Sequence, residues 1–244
     1  MKYDLRLALL GLAAIAPLAG AASTPADAAA APTSIADAIA KGKFNLNARV
    51  RWEHADQVNL RESDAFTLRT RFGFTSAPME GLQGMLEAEH NAVLGDDDHF
   101  NAAGTNPGGA GRTAIGDPAA TGLNQGWLSY TASGNVVKAG RQRVVLDNAR
   151  FIGDVGWRQN MQTFDAATLT AKPAKTFTAF YGYVWRASRV FGNKAPQPDW
   201  RSKSHLFNVA YSGWSAGTLT AYGYLLDFEN SAANSSSTFG ASFV

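Results

Sequence analysis

Two pairs of arginines spaced two residues apart, Arg49 with Arg51 and Arg69 with Arg71, are the side chains of this sequence best suited to recognition chemistry. A guanidinium keeps its charge throughout the physiological range and grips a carboxylate with two parallel hydrogen bonds, so arginines sharing a surface recognise anions. The spacing is what makes a surface of them. Residues i and i+2 of a β-strand point to the same face, and Arg-x-Arg therefore draws a cationic stripe. A third segment carries Glu87 and Glu89 at the same spacing, acids placed to pair with the arginines of a neighbouring strand. Other chemistry is poorly represented. The four histidines (His54, His90, His99, His205) stand in no Gly-x-Ser-x-Gly nucleophile motif, and there is no phosphate-binding glycine loop or metal-spaced His/Cys cluster. Asp96-Asp97-Asp98-His99 offers oxygen ligands but lacks the spacing of a calcium loop, and it reads as a solvated acidic tip. No enzyme activity, metal or cofactor is expected.

The elements that carry these residues are strands. Phe44, Leu46, Ala48, Val50 and Trp52 alternate with Asn45, Asn47, Arg49 and Arg51, giving one greasy and one cationic side. In the next segment Phe66, Leu68, Phe72 and Phe74 oppose Thr67, Arg69, Arg71 and Thr75. A third strand over Leu82–Leu94 sets Leu82, Leu86, Ala88 and Leu94 against Gln83, Glu87, Glu89 and Asn91. Further strands are expected over Leu123–Thr131, Val136–Arg143, Thr163–Ala171, Thr176–Ser188, His205–Ser212 and Thr218–Phe228, with another starting at Phe239. Phe177, Ala179, Tyr181, Tyr183 and Trp185 share an apolar parity suited to lipid, with Tyr183 and Trp185 near an interface. Both parities of Thr218–Phe228 are apolar or aromatic, so the pattern does not orient it.

The connections alternate in length. Residues 53–65, 95–121, the stretch after Arg143 and 191–203 are long; 76–81, 132–135, 172–175 and 211–217 are short. Outer-membrane barrels pair short periplasmic turns with long external loops, whereas a soluble sandwich has no reason to keep that rhythm. The segment 95–121, rich in Gly, Asp, Asn and Pro, is expected to have nothing to pack. Residues Arg141–Arg158 are expected to fold inward, because Phe151, Ile152, Val155 and Trp157 need burial.

The N-terminus reads as an export signal, with Lys2 and Arg6 before an apolar run from Leu7 to Ala16, then Pro17 and the small-x-small site Ala19-Gly20-Ala21. The expected organisation is a signal peptide over 1–21, a flexible lead-in over 22–42 with a helical turn or two around Ser34–Ala40, and a barrel over 43–244. No later segment approaches the roughly 18 consecutive apolar residues of a membrane helix. An aromatic content of 11%, 24 glycines and only 17% charged residues suit a barrel instead. A formal net charge of +2, with the basic residues on strands rather than tails, gives no footprint for nucleic acid.

From Gly140 the sequence reads GRQRVVLDNARFIGDVGWRQNMQTFDA. This run resembles the alginate-export family of outer-membrane barrels and its porin-like relatives, as do the earlier segments NARVRWEH and LRTRFGF. The resemblance covers about Phe44–Val244 and implies the N-terminal part of a pore of about eighteen strands, lined by arginines and acids that pass an anionic polysaccharide. The matching positions are Arg49, Arg51, Arg69, Arg71, Arg141, Arg143, Arg150 and Arg158, with Glu87, Glu89 and Asp165 as the acids. About nine strands and a stump are too few to close such a pore, so the sequence is expected to be shortened relative to its parent barrel.

The expected fold is thus all-β, a transmembrane antiparallel up-and-down barrel in the bacterial outer membrane, monomeric, in contact with lipid and lipopolysaccharide. The expected function is a channel for anionic, saccharide-like solutes. Two other readings stand beside it: a non-conducting outer-membrane barrel with an adhesive or structural role, and a soluble exported β-barrel that binds a ligand.

Overall fold

The computed structural model describes residues 31–244, and the expected signal peptide lies outside them. Ten strands pair in strict chain order, each antiparallel to the next: β1 (Lys43–Ala55), β2 (Ser63–Thr75), β3 (Leu82–Val93), β4 (Ala120–Ala132), β5 (Asn135–Gln142), β6 (Thr163–Ala174), β7 (Phe177–Ser188), β8 (Asp199–Trp214), β9 (Gly217–Leu226) and β10 (Ser236–Phe243). All ten expected strands are present. The largest boundary difference is at β8, which begins at Asp199 and not at His205. Trp200 turns onto Phe228 (ring centroids 4.7 Å apart) and Ser202 and Ser204 are buried, so the alternation runs on through residues expected to be loop.

A short helix, α1 (Ile35–Ala40), precedes the sheet at its short-turn end. The Ser34 hydroxyl accepts the Asp37 amide (3.1 Å) as an N-cap, and the Ala38 carbonyl accepts the Ala77 amide (2.9 Å) of the β2–β3 turn. Lys41, with the Thr33 amide, holds the Asp37 carboxyl below its usual range. The β4–β5 hairpin closes on Ser133 and Gly134, both at positive φ (48° and 78°), the two-residue turn whose twist matches the strands it joins.

The polarity of the sheet is inverted relative to a water-soluble protein. Phe44, Leu46, Val50, Trp52, Phe72, Leu86 and Leu128 are exposed, while Thr67, Arg69, Glu87, Glu89 and Asn91 on the opposite parity are buried. Tyr181, Tyr183, His205 and Phe207 cluster on the apolar face, with ring centroids 5.1–6.4 Å apart. Tyr224, which the sequence pattern did not orient, is buried with the opposite face, and Tyr222 packs beside it. An apolar surface this continuous demands a hydrophobic environment.

The polar face is covered by residues 143–162, which leave the end of β5, cross the sheet as a strap and return at β6. At one end Val144 and Ile152 are buried with Phe164, Ala166, Val184, Leu206, Tyr224 and Phe228. Phe151 lies against Tyr222 of β9 (5.7 Å), yet the Gly156 carbonyl five residues on accepts a bond from Arg49 of β1. In a flat sheet β1 and β9 would lie about 38 Å apart at ~4.8 Å per strand, whereas five residues reach about 18 Å at most. Side chains stand nearly perpendicular to the sheet and add little lateral reach, so the sheet must curl around the strap.

The connection between β3 and β4 is not the unpacked segment its composition suggested. Phe100 and Ile115 are fully buried, with Ala102 and Ala65. Asn106 ties the loop, donating to the Phe100 carbonyl (2.7 Å) and accepting the Ala102 amide (2.8 Å), and Ser63 of β2 donates to the Thr113 carbonyl (2.6 Å). Two isolated apolar residues among 27 are too sparse to give a periodic signal. Phe100→Ala removes this small core at a cost of about 3 kcal/mol. The expected outcome is cleavage within 104–111 by a nonspecific protease at a much higher rate, with the far-UV spectrum of the sheet unchanged.

Candidate functional site

The register of β1, β2 and β3 assembles the arginines. Arg49 stands opposite Arg69, Asn47 opposite Arg71, and Arg51 opposite Thr67; on the other side of β2, Arg71 faces Glu89 and Arg69 faces Asn91. The Arg71–Glu89 ion pair that the spacing led us to expect is present. Glu87 behaves differently. It faces Gly73 and accepts from three side-chain amides, Asn45 (2.8 Å), Asn124 (2.7 Å) and Gln125 (3.1 Å), and among the described residues it pairs with no arginine. Arg69 is buried, donates to the Asn47 side chain and leaves its Nε without a partner among the described residues.

The strap then seats itself on these cations. Arg49 donates from Nε to Gln159 Oε1 (2.7 Å), from Nη1 to the Gly156 carbonyl (3.2 Å) and from Nη2 to the carbonyls of Trp157 (3.3 Å) and Arg158. Arg51 donates to the Trp157 carbonyl, lies over the Trp157 ring (4.2 Å) and pairs with Glu53 and Asp117. Gln159, fully buried, donates back to Thr67 Oγ1 (2.8 Å) and the Arg49 carbonyl (3.2 Å), and Asp117 accepts the Gln159 amide (2.6 Å). Arg158 points from the strap to Glu53 (3.3 Å) and Asp117 (3.7 Å). The irregular backbone of the strap has carbonyls that no sheet satisfies, and a guanidinium is the side chain with enough donors to gather several at once.

The far end is held by one carboxylate. Asp147, at a positive φ of 51°, accepts from Asn208 Nδ2 on β8 (3.0 Å to each oxygen) and from the Tyr224 hydroxyl on β9 (2.9 Å). The strap is therefore tied across the polar face from β1 to β9.

The remaining residues singled out from the sequence divide between the strap and the wall. Arg143 is half exposed and pairs with Asp154; Arg150 is exposed at the strap's tip. Arg141 and Asp165 stand apart from the stripe. They form a two-bond pair (2.6 and 3.0 Å), and Arg141 sits opposite Gly126. Arg141 also donates to the Leu123 carbonyl (3.3 Å), which places the pair beside the part of β4 that β5 leaves open, off the arginine stripe. The positive φ of Gly140 (118°) marks the local distortion there. Asp96, Asp98 and His99 lie within 4.8 Å of one another and are exposed, the one such group among the described residues.

Sequence reasoning passed over Gln159, Asp117, Asp147, Asn208 and Tyr224. Gln159 closes the segment Gly156-Trp157-Arg158-Gln159, within the run that carries the family resemblance. Asp117 sits in a glycine-rich loop and Asp147 in a charged one, and neither carries a local pattern.

No protein-family model matches the sequence, and no curated protein is similar to it. The fold is that of solved outer-membrane porin barrels. OccAB1 of Acinetobacter baumannii superposes with a TM-score of 0.60 at 14% identity, covering 79% of this chain and 46% of that one. OccK9 (OpdG) of Pseudomonas aeruginosa gives 0.60 at 15% identity, covering 78% and 51%. OpdK of the same organism, solved with vanillate, gives 0.58 at 15% identity, covering 78% and 50%. The chain thus spans about half the length of the structures it matches. At these identities the likeness carries the fold, an all-β antiparallel up-and-down sheet forming part of a barrel.

Asp147→Ala strips Asn208 and Tyr224 of a shared acceptor, a loss of about 1–3 kcal/mol at the strap's far end. Trypsin is expected to cut after Arg150 roughly tenfold faster or more in the variant, while Asp147→Glu stays closer to the parent.

Proposed function

We propose that this chain forms part of the wall of a bacterial outer-membrane channel through which anionic solutes diffuse. The observation that carries the reading is the inverted sheet, with a bare apolar face and a charged face curled around a strap. Lipid takes the first and solute the second. The protein reaches the membrane by a cleaved signal peptide, and lipid and lipopolysaccharide are its surroundings there.

In this reading the strap narrows the lumen. Arg49 and Arg51, together with Arg71 through the Gln159 carbonyl (3.4 Å), are committed to holding it, so solutes meet chiefly Arg143 and Arg150, with the partly uncompensated field of Arg69 behind them. Cationic side chains lower the barrier for anions, and neighbouring acids such as Glu89 and Asp154 keep binding weak enough for release. The edges of β1 and β10 are unpaired among the described residues, and hydrocarbon does not tolerate open edges, so further strands close the wall. The structural neighbour solved with vanillate favours a carboxylate cargo. The sequence resemblance points to an alginate-like polyanion. No step of the reading calls for catalysis.

Two experiments test it. Reconstituted into planar bilayers as part of the closed barrel, the wall is expected to conduct with anion over cation preference, and the double variant Arg143→Gln/Arg150→Gln to move the permeability ratio toward unity. A silent membrane, or cation preference in the parent, sinks the channel. The membrane orientation is tested separately at Leu68, mid-strand on the apolar face opposite Val50 and Ala92. Leu68→Arg is expected to lower folding stability in lipid vesicles by about 2–4 kcal/mol, and a cost near zero would place that face in water.

A further inference from the structure

The short helix α1 stands just before β1, at the short-turn end of the wall, and it is two-sided like the strand it feeds. At about 100° per residue, Ile35 and Ile39 fall on one flank of Ala38, and Asp37 and Lys41 on the other. Ala38 is the buried position, and its carbonyl holds the β2–β3 turn through the Ala77 amide (2.9 Å). The ionic flank carries the Lys41–Asp37 pair (2.9 Å). The apolar flank is bare, with Ile35 67% and Ile39 55% exposed. Leaving both isoleucines in water would forfeit the transfer free energy of two large aliphatic side chains.

Two observations point to what covers that flank. The first is continuity with the apolar face of the sheet. The Phe74 ring lies over Gly42, the residue directly before β1, so closely that an added Cβ would collide with it. Phe74 packs on Phe44 (4.9 Å), and Phe44 stacks on Phe72 (5.7 Å), both exposed on the apolar parity. The polar parity at the same end offers Lys43, Asn45 and Thr75, which give the isoleucines no apolar partner on the lumen side. The second is an uneven distribution of anchoring rings. Tyr130, Tyr211 and Trp214 stand at the short-turn ends of β4 and β8, with Phe177 beside Tyr211 (4.8 Å) and Phe243 beside Trp214 (6.3 Å). Tyrosine and tryptophan hold the boundary between hydrocarbon and headgroups, because each ring has an apolar body and a polar tip. Neither residue type occurs over residues 31–51 or 67–86, and the short-turn ends of β1, β2 and β3 present Phe44, Phe74 and Leu82 instead. α1 stands beside that stretch, and an amphipathic helix is the other element that holds such a boundary.

We propose that α1 is an interfacial anchor whose partner is the phospholipid surface on the short-turn, periplasmic side of the membrane. Ile35 and Ile39 enter that leaflet just below its headgroups, and the Asp37–Lys41 pair stays in water, where its charges carry no desolvation cost. The Ala38 carbonyl and the Phe74 ring tie the helix to the rim of the sheet, so its depth is set by β2 and the turn that follows it. In return α1 marks the level at which β1–β3 leave hydrocarbon, as the Tyr and Trp rings do for β4 and β8. The anchor rests on the channel reading for the statement that the apolar face meets lipid.

This chain has no cysteine, so single cysteines can carry a polarity-sensitive fluorescent label at chosen positions. The protein is refolded as the closed barrel in phosphatidylcholine vesicles, and matching circular dichroism shows that each variant is folded. The label on Ile39→Cys is expected to emit at shorter wavelength than one on Ala36→Cys. It is also expected to be quenched by a lipid bearing a nitroxide near its headgroup and to lose quenching by aqueous iodide. Ala36 lies on the exposed back of the helix, and its label is expected to be quenched by iodide and not by the lipid. Leu46→Cys, on the apolar parity of β1, reports on the wall itself. An Ile39 label that iodide reaches as readily as the Ala36 label, or one shielded from iodide and nitroxide alike, overturns the anchor. Nitroxide contact at Leu46 without contact at Ile39 keeps the wall in lipid and removes the anchor; contact at Ile39 without contact at Leu46 keeps the anchor and removes the wall.

Discussion

A buried guanidinium must find acceptors for its donors, and this requirement organises the polar face. Arg49 stands directly opposite Arg69, two like charges on adjacent strands, with no carboxylate bound to either among the described residues. Such a pair is unfavourable unless oxygen atoms surround it. The strap delivers them as backbone carbonyls of residues 156–158 and the side chain of Gln159. The dependence is mutual. The strap has little secondary structure of its own, and without the arginines its carbonyls would lie against a wall with nothing to offer them. One interaction thus fixes where the strap lies, and the strap's span from β1 to β9 fixes how tightly the sheet curls.

Curling has consequences at the edges of the wall. The strap takes its residues from what would otherwise have been the upper half of β5, so the same excursion that covers the polar face leaves residues 120–125 of β4 paired with β3 alone. The charged residues around that gap belong to neither of the two regular faces. Arg141 and Asp165 neutralise each other through two hydrogen bonds, and Arg186 pairs at longer range with Asp165 and Asp199 (3.7 and 3.9 Å). A covered polar face and a notched wall are two results of one path of the chain.

The alternation of side chains made most of the sheet legible in advance. All ten strands, the inward direction of Arg49, Arg51, Arg69 and Arg71, and the apolar parity of Tyr181 and Tyr183 follow from period-2 patterning, because a strand offers no other periodicity. The pairing of Arg71 with Glu89 followed from chain order, since neighbouring hairpins must place those strands side by side. Legibility failed where contacts are not periodic. Phe100 and Ile115 find each other across a glycine-rich loop, Glu87 prefers amides to arginines because Gly73 rather than a cation lies opposite, and Gly140 turns Arg141 away from the stripe.

The sequence by itself determined the elements and their two faces, because side-chain alternation is written locally and one residue's slip would invert a whole strand. Tertiary structure decided what the polar face does. That Asp147 would meet Asn208 and Tyr224, that Gln159 would be buried between Arg49 and Thr67, and that Arg49, Arg51 and Arg71 would spend their donors on a strap are long-range outcomes. They depend on how far a ten-stranded sheet curls, and no short window of residues records that distance.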